Sequence, residues 1–320
     1  MEAELPFCLI VAGPTASGKS ALALGLAERL GGVVINADAM QCYRELRILT
    51  ARPTGAEEAR VPHRLYGVRP AAEPGHAAWW RAAALAEMAA ARASGRLPIL
   101  CGGTGMYFAA LQQGISAIPE VPAAVRAEAR ALLAERGAAG LHAALAAVDP
   151  ADAAVLRPSD SQRLARAWEV WRATGRPLAA WQAEPGTPAP WRFAAVVLDP
   201  PREALREAAA RRFAAMLEAG AAAEVRALLA LGLDPALPLM RAHGVPELSA
   251  WLRGEISLEA AAAHAVLATG RYTRRQATWL RHHALAAPSG THTIHARVGA
   301  MEQFSESEMA AIMSIIRHEG

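Results

Sequence analysis

The chain has 320 residues, enough for one large α/β domain and a smaller one, and 53% of them are hydrophobic. Its formal net charge of +3 is mildly basic, and its three cysteines lack the spacing of a metal site, so we expect a reduced, cytoplasmic protein with structural thiols. No run of about 18 uninterrupted apolar residues occurs, and the first residues lack the pattern of a signal peptide. We therefore expect no membrane span, and a monomer is the default expectation.

The sequence GPTASGKS follows a short apolar run, Phe7 to Ala12, and precedes a predicted helix over residues 21–30. It matches G-x-x-x-x-G-K-[ST] in full and predicts a P-loop, in which backbone N–H groups and a helix N-terminus bind phosphate oxygens. The hydroxyl of Ser20 can ligate Mg²⁺. The predicted phosphate-binding residues are Gly13, Pro14, Thr15, Ala16, Ser17, Gly18, Lys19 and Ser20. The motif indicates a bound di- or triphosphate but does not specify a nucleotide.

Lys19 is the only lysine, and all the other residues among the 33 lysines and arginines are arginine. This chain therefore uses arginine wherever any positive charge suffices. A compact ammonium on a flexible stem suits a position between phosphate oxygens. The single lysine thus supports the phosphate-binding interpretation independently of the motif.

Short strands alternate with helices in both the first and last thirds of the chain, which is typical of a parallel sheet flanked by helices. The predicted strands are Phe7 to Ala12, Val33 to Ile35, Leu97 to Cys101 and Ala194 to Leu198. No convincing strand occurs over 119–190, which predicts an all-α insertion between two parts of the core, 1–118 and 191–320. Helices are predicted near 77–94, 123–136, 138–147, 160–174, 177–183, 203–219, 221–231 and 258–284.

Two stretches are harder to assign. Residues 51–76, with prolines at 53 and 62, predict irregular structure. Near the end of the chain, Ser305 with Glu308 can cap a short helix through Ile316.

Three polar residues are candidates for chemistry. Asp38 and Thr104 follow predicted strands, where parallel sheets place ligands. Asp38 can act as a base or reach a metal through water, and Thr104 can contact phosphate or relay a proton. Arg212, in a predicted helix, can clamp phosphate. The alternatives are a turn or helix-capping residue for Asp38 and Thr104, and a solvated helix face for Arg212.

Basic residues cluster late in the chain, where no acidic residue occurs between Glu259 and Glu302. This stretch suits a polyanion such as RNA, although the charge alone favours an ordinary basic helix face. Its arginines are Arg271, Arg274, Arg275, Arg281 and Arg297. Arg163 and Arg166 share a predicted helix face with Gln162, which suits phosphate or base contacts or a solvated face. His282-His283, His292 and His295 lack the partners expected of a metal site.

Several segments together resemble the bacterial tRNA dimethylallyltransferases. They cover roughly residues 7–285 and are GPTASGKS at 13–20, NADAMQCY at 36–43, LTARPT at 49–54, VPHRLYGV at 61–68, ILCGGTGMYF at 99–108, PSDSQRLARAWEV at 158–170, RRFAAMLEAG at 211–220, EVRAL at 224–228 and RYTRRQATWLR at 271–281. The resemblance implies a P-loop kinase-like core with a helical insertion that grips the tRNA anticodon stem-loop. It implies transfer of a dimethylallyl group from dimethylallyl diphosphate, with Mg²⁺, to N6 of the adenosine 3′ of the anticodon.

The resemblance also implies roles for individual residues. Asp38 corresponds to the general base, Thr104 to the threonine of the G-G-T loop, and Arg212 to the diphosphate-binding arginine. The implied tRNA-contacting residues are Asp38, Ala39, Met40, Gln41, Arg126, Gln162, Arg163, Leu164, Ala165, Arg166, Arg241, Arg274, Arg275, Gln276 and Arg281.

The chain departs from the family pattern at three RNA-facing places. Ala39 replaces a serine, Val245-Pro246 replaces a tyrosine and an arginine, and Gly270, which follows Thr269, replaces an arginine.

Two other functions compete with this interpretation. One is a small-molecule P-loop enzyme, either a nucleotide kinase or a prenyltransferase acting on AMP, which has no need for Arg163 and Arg166 or for the acid-free stretch. The other is an RNA-binding protein that uses the P-loop as a switch, which needs no base beside the phosphates.

Overall fold

The computed structural model describes residues 5–184, 186–299 and 306–319. The chain divides into two compact units. One contains Met1–Gln112 with Ala189–Gly320, and the other contains Gln113–Pro188. The sequence analysis placed the insertion at 119–190.

Six parallel strands form the sheet of the first unit in the described residues, in the order β3-β2-β4-β1-β5-β6. They are β1 (Phe7–Ala12), β2 (Gly32–Ala37), β3 (His63–Arg64), β4 (Leu97–Gly102), β5 (Arg192–Leu198) and β6 (Thr291–Ile294). Central Val11 is in register with Cys101 of β4 and Val196 of β5. The predicted parallel α/β sheet is confirmed, and its carboxyl ends bring the P-loop, Asp38 and Thr104 to one edge.

Helices cover both faces of this sheet, as its continuous apolar strands require. They are α1 (Lys19–Leu30), α2 (Gly55–Arg60), α3 (Ala77–Ala93), α4 (Gly105–Gln112), α9 (Arg202–Glu218), α10 (Ala221–Ala230), α11 (Val245–Leu252), α12 (Leu258–His282) and α13 (Glu306–Glu319). Trp80 of α3 and Phe108 of α4 are fully buried in the core on one face. Leu22 of α1 and Ile312 of α13 are fully buried on the other.

A third apolar cluster joins the segment after β2 to the later helices. Tyr43 and Leu46 are buried there with Phe213 of α9 and Leu248 of α11. This packing fixes the segment that carries Asp38 against α9, which carries Arg212.

The second unit is all-α, with helices α5 (Ala123–Val148), α6 (Pro150–Val155), α7 (Ser161–Thr174) and α8 (Leu178–Gln182). Its core contains Leu141, Leu145 and Leu164, each fully buried. By length and composition α5 alone among the described helices could cross a membrane. However, Gly137 interrupts it with φ 67° and ψ −177°, and neither part has the about 20 residues that a span needs. The helix is therefore weak evidence for a membrane segment.

The expectation of irregular structure over 51–76 is wrong in part. Helix α2 forms there because Thr54 and Glu57 make a capping box, in which Thr54 Oγ1 accepts the Glu57 N–H and Glu57 Oε2 accepts the Thr54 N–H. Strand β3 is only two residues long and is set by pairing with β2. Ser305, the predicted capping residue, lies outside the described residues, and α13 begins at Glu306.

Candidate active site

The P-loop joins β1 to α1 and takes the shape that the motif predicts. Gly18 precedes the helix with φ 94°, a left-handed conformation that disfavours any side chain. Lys19 begins α1, is 9% exposed, and donates from Nζ to the Pro14 carbonyl at 3.4 Å. The loop therefore folds around its own lysine, as phosphate-binding loops do.

A cavity of about 490 Å³ borders the loop. Its cationic lining residues are Lys19, Arg47, Arg52, Arg212 and Arg297. Glu57 is its single carboxylate in the described residues, and Oε2 of that carboxylate already accepts two hydrogen bonds from Thr54. The excess of positive charge makes this a site for an anion. We call it the donor cavity.

Burial lowers the pKa of Lys19 from its usual 10.5, the nearby Asp38 carboxylate opposes this shift, and Arg212 adds to it. A polyanion bound in the donor cavity would favour the charged ammonium and raise the pKa again.

We predict that the rise in the Lys19 pKa on anion binding can be measured on a single nucleus. Because Lys19 is the only lysine, protein made with ¹³Cε-lysine gives a single resonance. Its titration should give a pKa below 10.5 in the free protein and a higher value with pyrophosphate. Pyrophosphate affinity should accordingly be full below the free-protein pKa and fall as the pH rises through it. An identical titration with and without pyrophosphate would contradict this assignment.

Asp38 lies in a turn directly after β2. Its Oδ1 accepts the Met40 N–H at 3.0 Å. Fully buried Asn36 holds the same turn, because its Oδ1 accepts the Asp38 N–H at 2.8 Å and its Nδ2 donates to the Asp38 carbonyl at 2.9 Å. The turn aims a carboxylate into a second, smaller cavity of about 80 Å³.

This second cavity, which we call the acceptor cavity, combines the Asp38 carboxylate with apolar walls. It is lined by Thr15, Asp38, Met40, Leu49, Thr50, Ala209, Arg212, Phe213, Met216, Ala242, His243, Thr269 and Tyr272. Arg212 and Met216 line both cavities. The predicted base and the predicted phosphate loop therefore border adjoining spaces.

Thr104 contacts the Asp38 turn. Its Oγ1 accepts the Ala39 N–H at 3.0 Å, and its own N–H donates to the Ala37 carbonyl at 3.2 Å. Tyr272 lines the acceptor cavity, and burial followed by the charge of Asp38 raises the pKa of Tyr272 to about 12. The phenol is therefore neutral and can donate at physiological pH.

Arg212 projects from α9 to the wall between the cavities. Burial lowers its pKa, Asp38 opposes that shift, and Arg297 adds to it. Its side chain forms no ion pair or hydrogen bond with the described residues, so its guanidinium is available to a ligand. Neighbouring Arg211 is exposed and lies 3.4 Å from Glu207 on its own helix, as a solvated face predicts.

The structure corrects the assignment of Gln276 as an RNA contact. Its side chain is 5% exposed and bridges two loops of the site. Oε1 accepts the Thr15 N–H at 2.8 Å, and Nε2 donates to the Gly103 carbonyl at 2.9 Å. The sequence could not distinguish this role, because a glutamine beside arginines on a helix suits either.

Replacing Gln276 with leucine should lower the free energy of unfolding by about 1–3 kcal/mol, since it leaves the partly buried Thr15 N–H and the buried Gly103 carbonyl without partners. Urea unfolding measures the effect. Exposed Arg274 on the same helix is the control, and R274A should stay within about 0.5 kcal/mol of the parent. If Q276L were as stable as R274A, the bridge would contribute nothing.

The other predicted RNA contacts of the first unit differ in exposure. Arg241, Arg274 and Arg275 are exposed. Arg281 makes two hydrogen bonds to the Asp199 carboxylate, at 3.0 and 2.8 Å, so its charge is already paired. Gln41 donates its amide to the Thr50 and Ala51 carbonyls and thereby holds the loop that lines both cavities.

In the second unit, the prediction of an RNA contact is wrong for Leu164, which is fully buried in that unit's core. Its flanking residues Gln162, Arg163 and Arg166 are exposed on α7. The cations there are only weakly paired, Arg163 with Asp160 at 3.6 Å and Arg166 with Glu169 at 3.7 Å. Ala165 packs partly against the core, and Arg126 lies 3.8 Å from Glu120.

Glu224 is a site-organising residue to which the sequence analysis gave no role. Its carboxylate accepts the successive backbone N–H groups of Arg47, Ile48 and Leu49 at 2.8–3.0 Å. These residues line the two cavities, so a single side chain fixes a shared wall. The only available signal was that Glu224 begins one of the family-like segments.

A metal ion at the P-loop would depend on ligand oxygens. In the described part of the chain no group of three or more His, Cys, Asp or Glu residues could hold one. Ser20, however, exposes its hydroxyl on the donor cavity beside Lys19. A single hydroxyl beside a phosphate site fits Mg²⁺, which is usually bound through few protein ligands, substrate phosphates and water.

Comparison with known proteins decides the family. The model of the IPP transferase family matches residues 41–283. The chain belongs to the IPP transferase family. It is 60% identical over 310 residues to the tRNA dimethylallyltransferase of Granulibacter bethesdensis, covering 97% of each chain. The predicted family resemblance is thereby confirmed.

Solved structures of IPP transferase relatives show the same fold. The tRNA isopentenylpyrophosphate transferase of Bacillus halodurans matches with a TM-score of 0.67 and 28% identity, covering 98% of each chain. A eukaryotic dimethylallyltransferase acting on tRNA matches with a TM-score of 0.79 over 98% of this chain and 80% of that one. At 22% identity the latter shows the fold alone. The predicted P-loop kinase-like class is confirmed.

Proposed function

We propose that this chain transfers a dimethylallyl group from dimethylallyl diphosphate to N6 of the adenosine 3′ of a tRNA anticodon, releasing diphosphate. One observation carries the proposal: the donor cavity at the P-loop and the acceptor cavity at Asp38 meet at Arg212 and Met216. A kinase-like loop is thus placed beside a carboxylate and an apolar space. The relatives' names supply the substrate class.

The reaction needs a proton acceptor, because an exocyclic amine is a poor nucleophile while it keeps its protons. N6 attacks C1 of the dimethylallyl group, the C1–O bond breaks, and the electron pair leaves with the diphosphate. The N6 proton passes to the Asp38 carboxylate. Asn36 and Thr104 hold the backbone of the Asp38 turn, so we assign them positioning roles.

The leaving diphosphate gains negative charge, which fixed cations stabilise. Lys19 lies at the start of α1 and Arg212 lies on the wall shared by the cavities, so they suit opposite ends of the diphosphate. Ser20 would hold Mg²⁺ against the same group. When bound, Mg²⁺ supplies further neutralisation of the leaving charge.

The prenyl group would lie where the two cavities meet, between the diphosphate and the target amine. Leu49, Phe213, Met216 and Ala242 provide apolar walls there. The target base must leave its stack to reach such an enclosed site. Exposed Arg274 and Arg275 of α12 suit the RNA backbone.

We also propose that the enzyme is a monomer and that it acts on its tRNA in the cytoplasm.

The test is transfer of label from radioactive dimethylallyl diphosphate with Mg²⁺. We expect label in an unmodified anticodon stem-loop with adenosine at the target position. No label should enter AMP. No label should enter the same stem-loop when guanosine replaces the target adenosine. Label in AMP alone would replace the proposal with a small-molecule prenyltransferase, and ATP consumption without label transfer would replace it with a kinase or a switch.

A further inference from the structure

The C-terminal segment after β6 lies directly on the P-loop. The Val298 N–H donates to the Ser17 carbonyl at 2.9 Å, and Arg297 Nε donates to the Ala16 carbonyl at 3.0 Å. Val298 is 4% exposed. A Cβ on Gly18 would lie 1.8 Å from the Val298 carbonyl oxygen. The second glycine of the motif is therefore required by this contact as well as by its own φ angle.

The same segment places a cation in the donor cavity. Arg297 lines it together with Lys19, Ser20 and Arg212. The sequence analysis grouped Arg297 with the arginines that suit RNA, because it lies in the same acid-free stretch. The structure separates it from them, since Arg274 and Arg275 lie on α12 and do not line this cavity.

Positive charge is in excess around Arg297 in the donor cavity. Burial is the main cause of the lowered pKa of Arg212, and Arg297 lowers that pKa further, as one guanidinium does to another nearby. In the described residues none of Lys19, Arg212 and Arg297 forms an ion pair with a carboxylate. By contrast, Arg47 pairs with Glu58 at 3.0 Å. Arg52 also forms no ion pair in the described residues, but its Nη1 already donates to two carbonyls, those of Tyr43 and Arg44. Lys19, Arg212 and Arg297 line the cavity beside the P-loop.

We propose that Arg297 is a second arginine of the diphosphate clamp, supplied by the C-terminal segment and acting with Lys19 and Arg212. The bond to the Ala16 carbonyl uses Nε and leaves the two terminal nitrogens for a phosphate oxygen pair. Bound diphosphate would relieve the repulsion between Arg297 and Arg212. This inference rests on the proposed function, because it takes the donor cavity as the diphosphate site.

The probe is inorganic pyrophosphate with Mg²⁺, and its affinity is measured by calorimetry. Relative to the parent, R297Q should weaken binding by about tenfold, the usual effect of losing one charge-assisted hydrogen bond. R297K should recover part of that loss. The control is R96Q, since Arg96 is an exposed arginine that does not line the cavity, and it should bind as the parent does.

Salt dependence distinguishes a ligand contact from a structural one. If Arg297 contacts pyrophosphate, the difference between the parent and R297Q should shrink as ionic strength rises, because a charge interaction is screened. An R297Q affinity equal to that of the parent, or a loss unaffected by salt, would overturn the role of Arg297 and leave the prenyl transfer standing. No pyrophosphate binding by the parent would overturn both this inference and the donor cavity.

Discussion

Replacing Asp38 with asparagine should lower kcat for prenyl transfer by about 10²–10⁴-fold, the usual contribution of a general base. The amide oxygen can still accept the Met40 N–H, so the turn after β2 should survive. Only the ability to take the N6 proton is removed. Single-turnover transfer to the stem-loop measures the effect, while the dissociation constants for stem-loop and pyrophosphate should change little.

Asp234 provides a matched control. It is exposed, and its Oδ1 accepts the backbone N–H two residues later, at Ala236, just as Oδ1 of Asp38 accepts that of Met40. D234N makes the same chemical change in the same local motif but away from both cavities, and kcat should not change. If D38N lost RNA binding in proportion to turnover, Asp38 would be a structural residue of the turn and another base would be needed.

Replacing Lys19 with arginine should reduce kcat/KM by about 10²–10³-fold, although the charge is kept. Lys19 is buried, and its Nζ lies 3.4 Å from the Pro14 carbonyl inside a tight loop. A planar guanidinium is larger and requires a different hydrogen-bond geometry. The loss should fall on pyrophosphate affinity and on kcat together, because the ammonium interacts with charge in both the bound and the leaving diphosphate.

Two further variants separate size from charge. K19M removes the charge and should be at least as impaired as K19R. R96K makes the reverse exchange at an exposed site and should leave kcat/KM unchanged. Parent-like activity of K19R would show that any cation serves, and the single lysine of this chain would then have no functional meaning.

The structure shows where the residues that depart from the family pattern lie. Val245 and Pro246 form the first turn of α11, where proline costs no hydrogen bond, and the Gly244 N–H donates to Glu247 Oε2 at 2.9 Å. Gly244 has φ 96°, a left-handed conformation that residues with a side chain rarely adopt, so glycine is favoured beside the acceptor cavity. Gly270 faces open space, since nothing lies within 4 Å of where its Cβ would be.

The P-loop, the parallel sheet and the position of Asp38 and Thr104 at strand ends could all be predicted from the sequence. These features depend on local signals: glycine spacing, short apolar runs and polar residues directly after them. Capping also acts locally, yet the Thr54–Glu57 box that starts α2 was missed because the neighbouring prolines suggested irregular structure.

Only the tertiary structure decided which residues complete the site. Gln276, Glu224 and Arg297 are distant in sequence from the loops that they hold, and their chemistry also suits a solvated surface. Gln276 became a buried bridge because α12 packs beside the P-loop and the Gly103 loop, and Arg297 reached the donor cavity because β6 adds to the sheet next to β5. Sequence spacing determines which strand ends carry chemistry, whereas side-chain partners depend on contacts between segments that packing brings together.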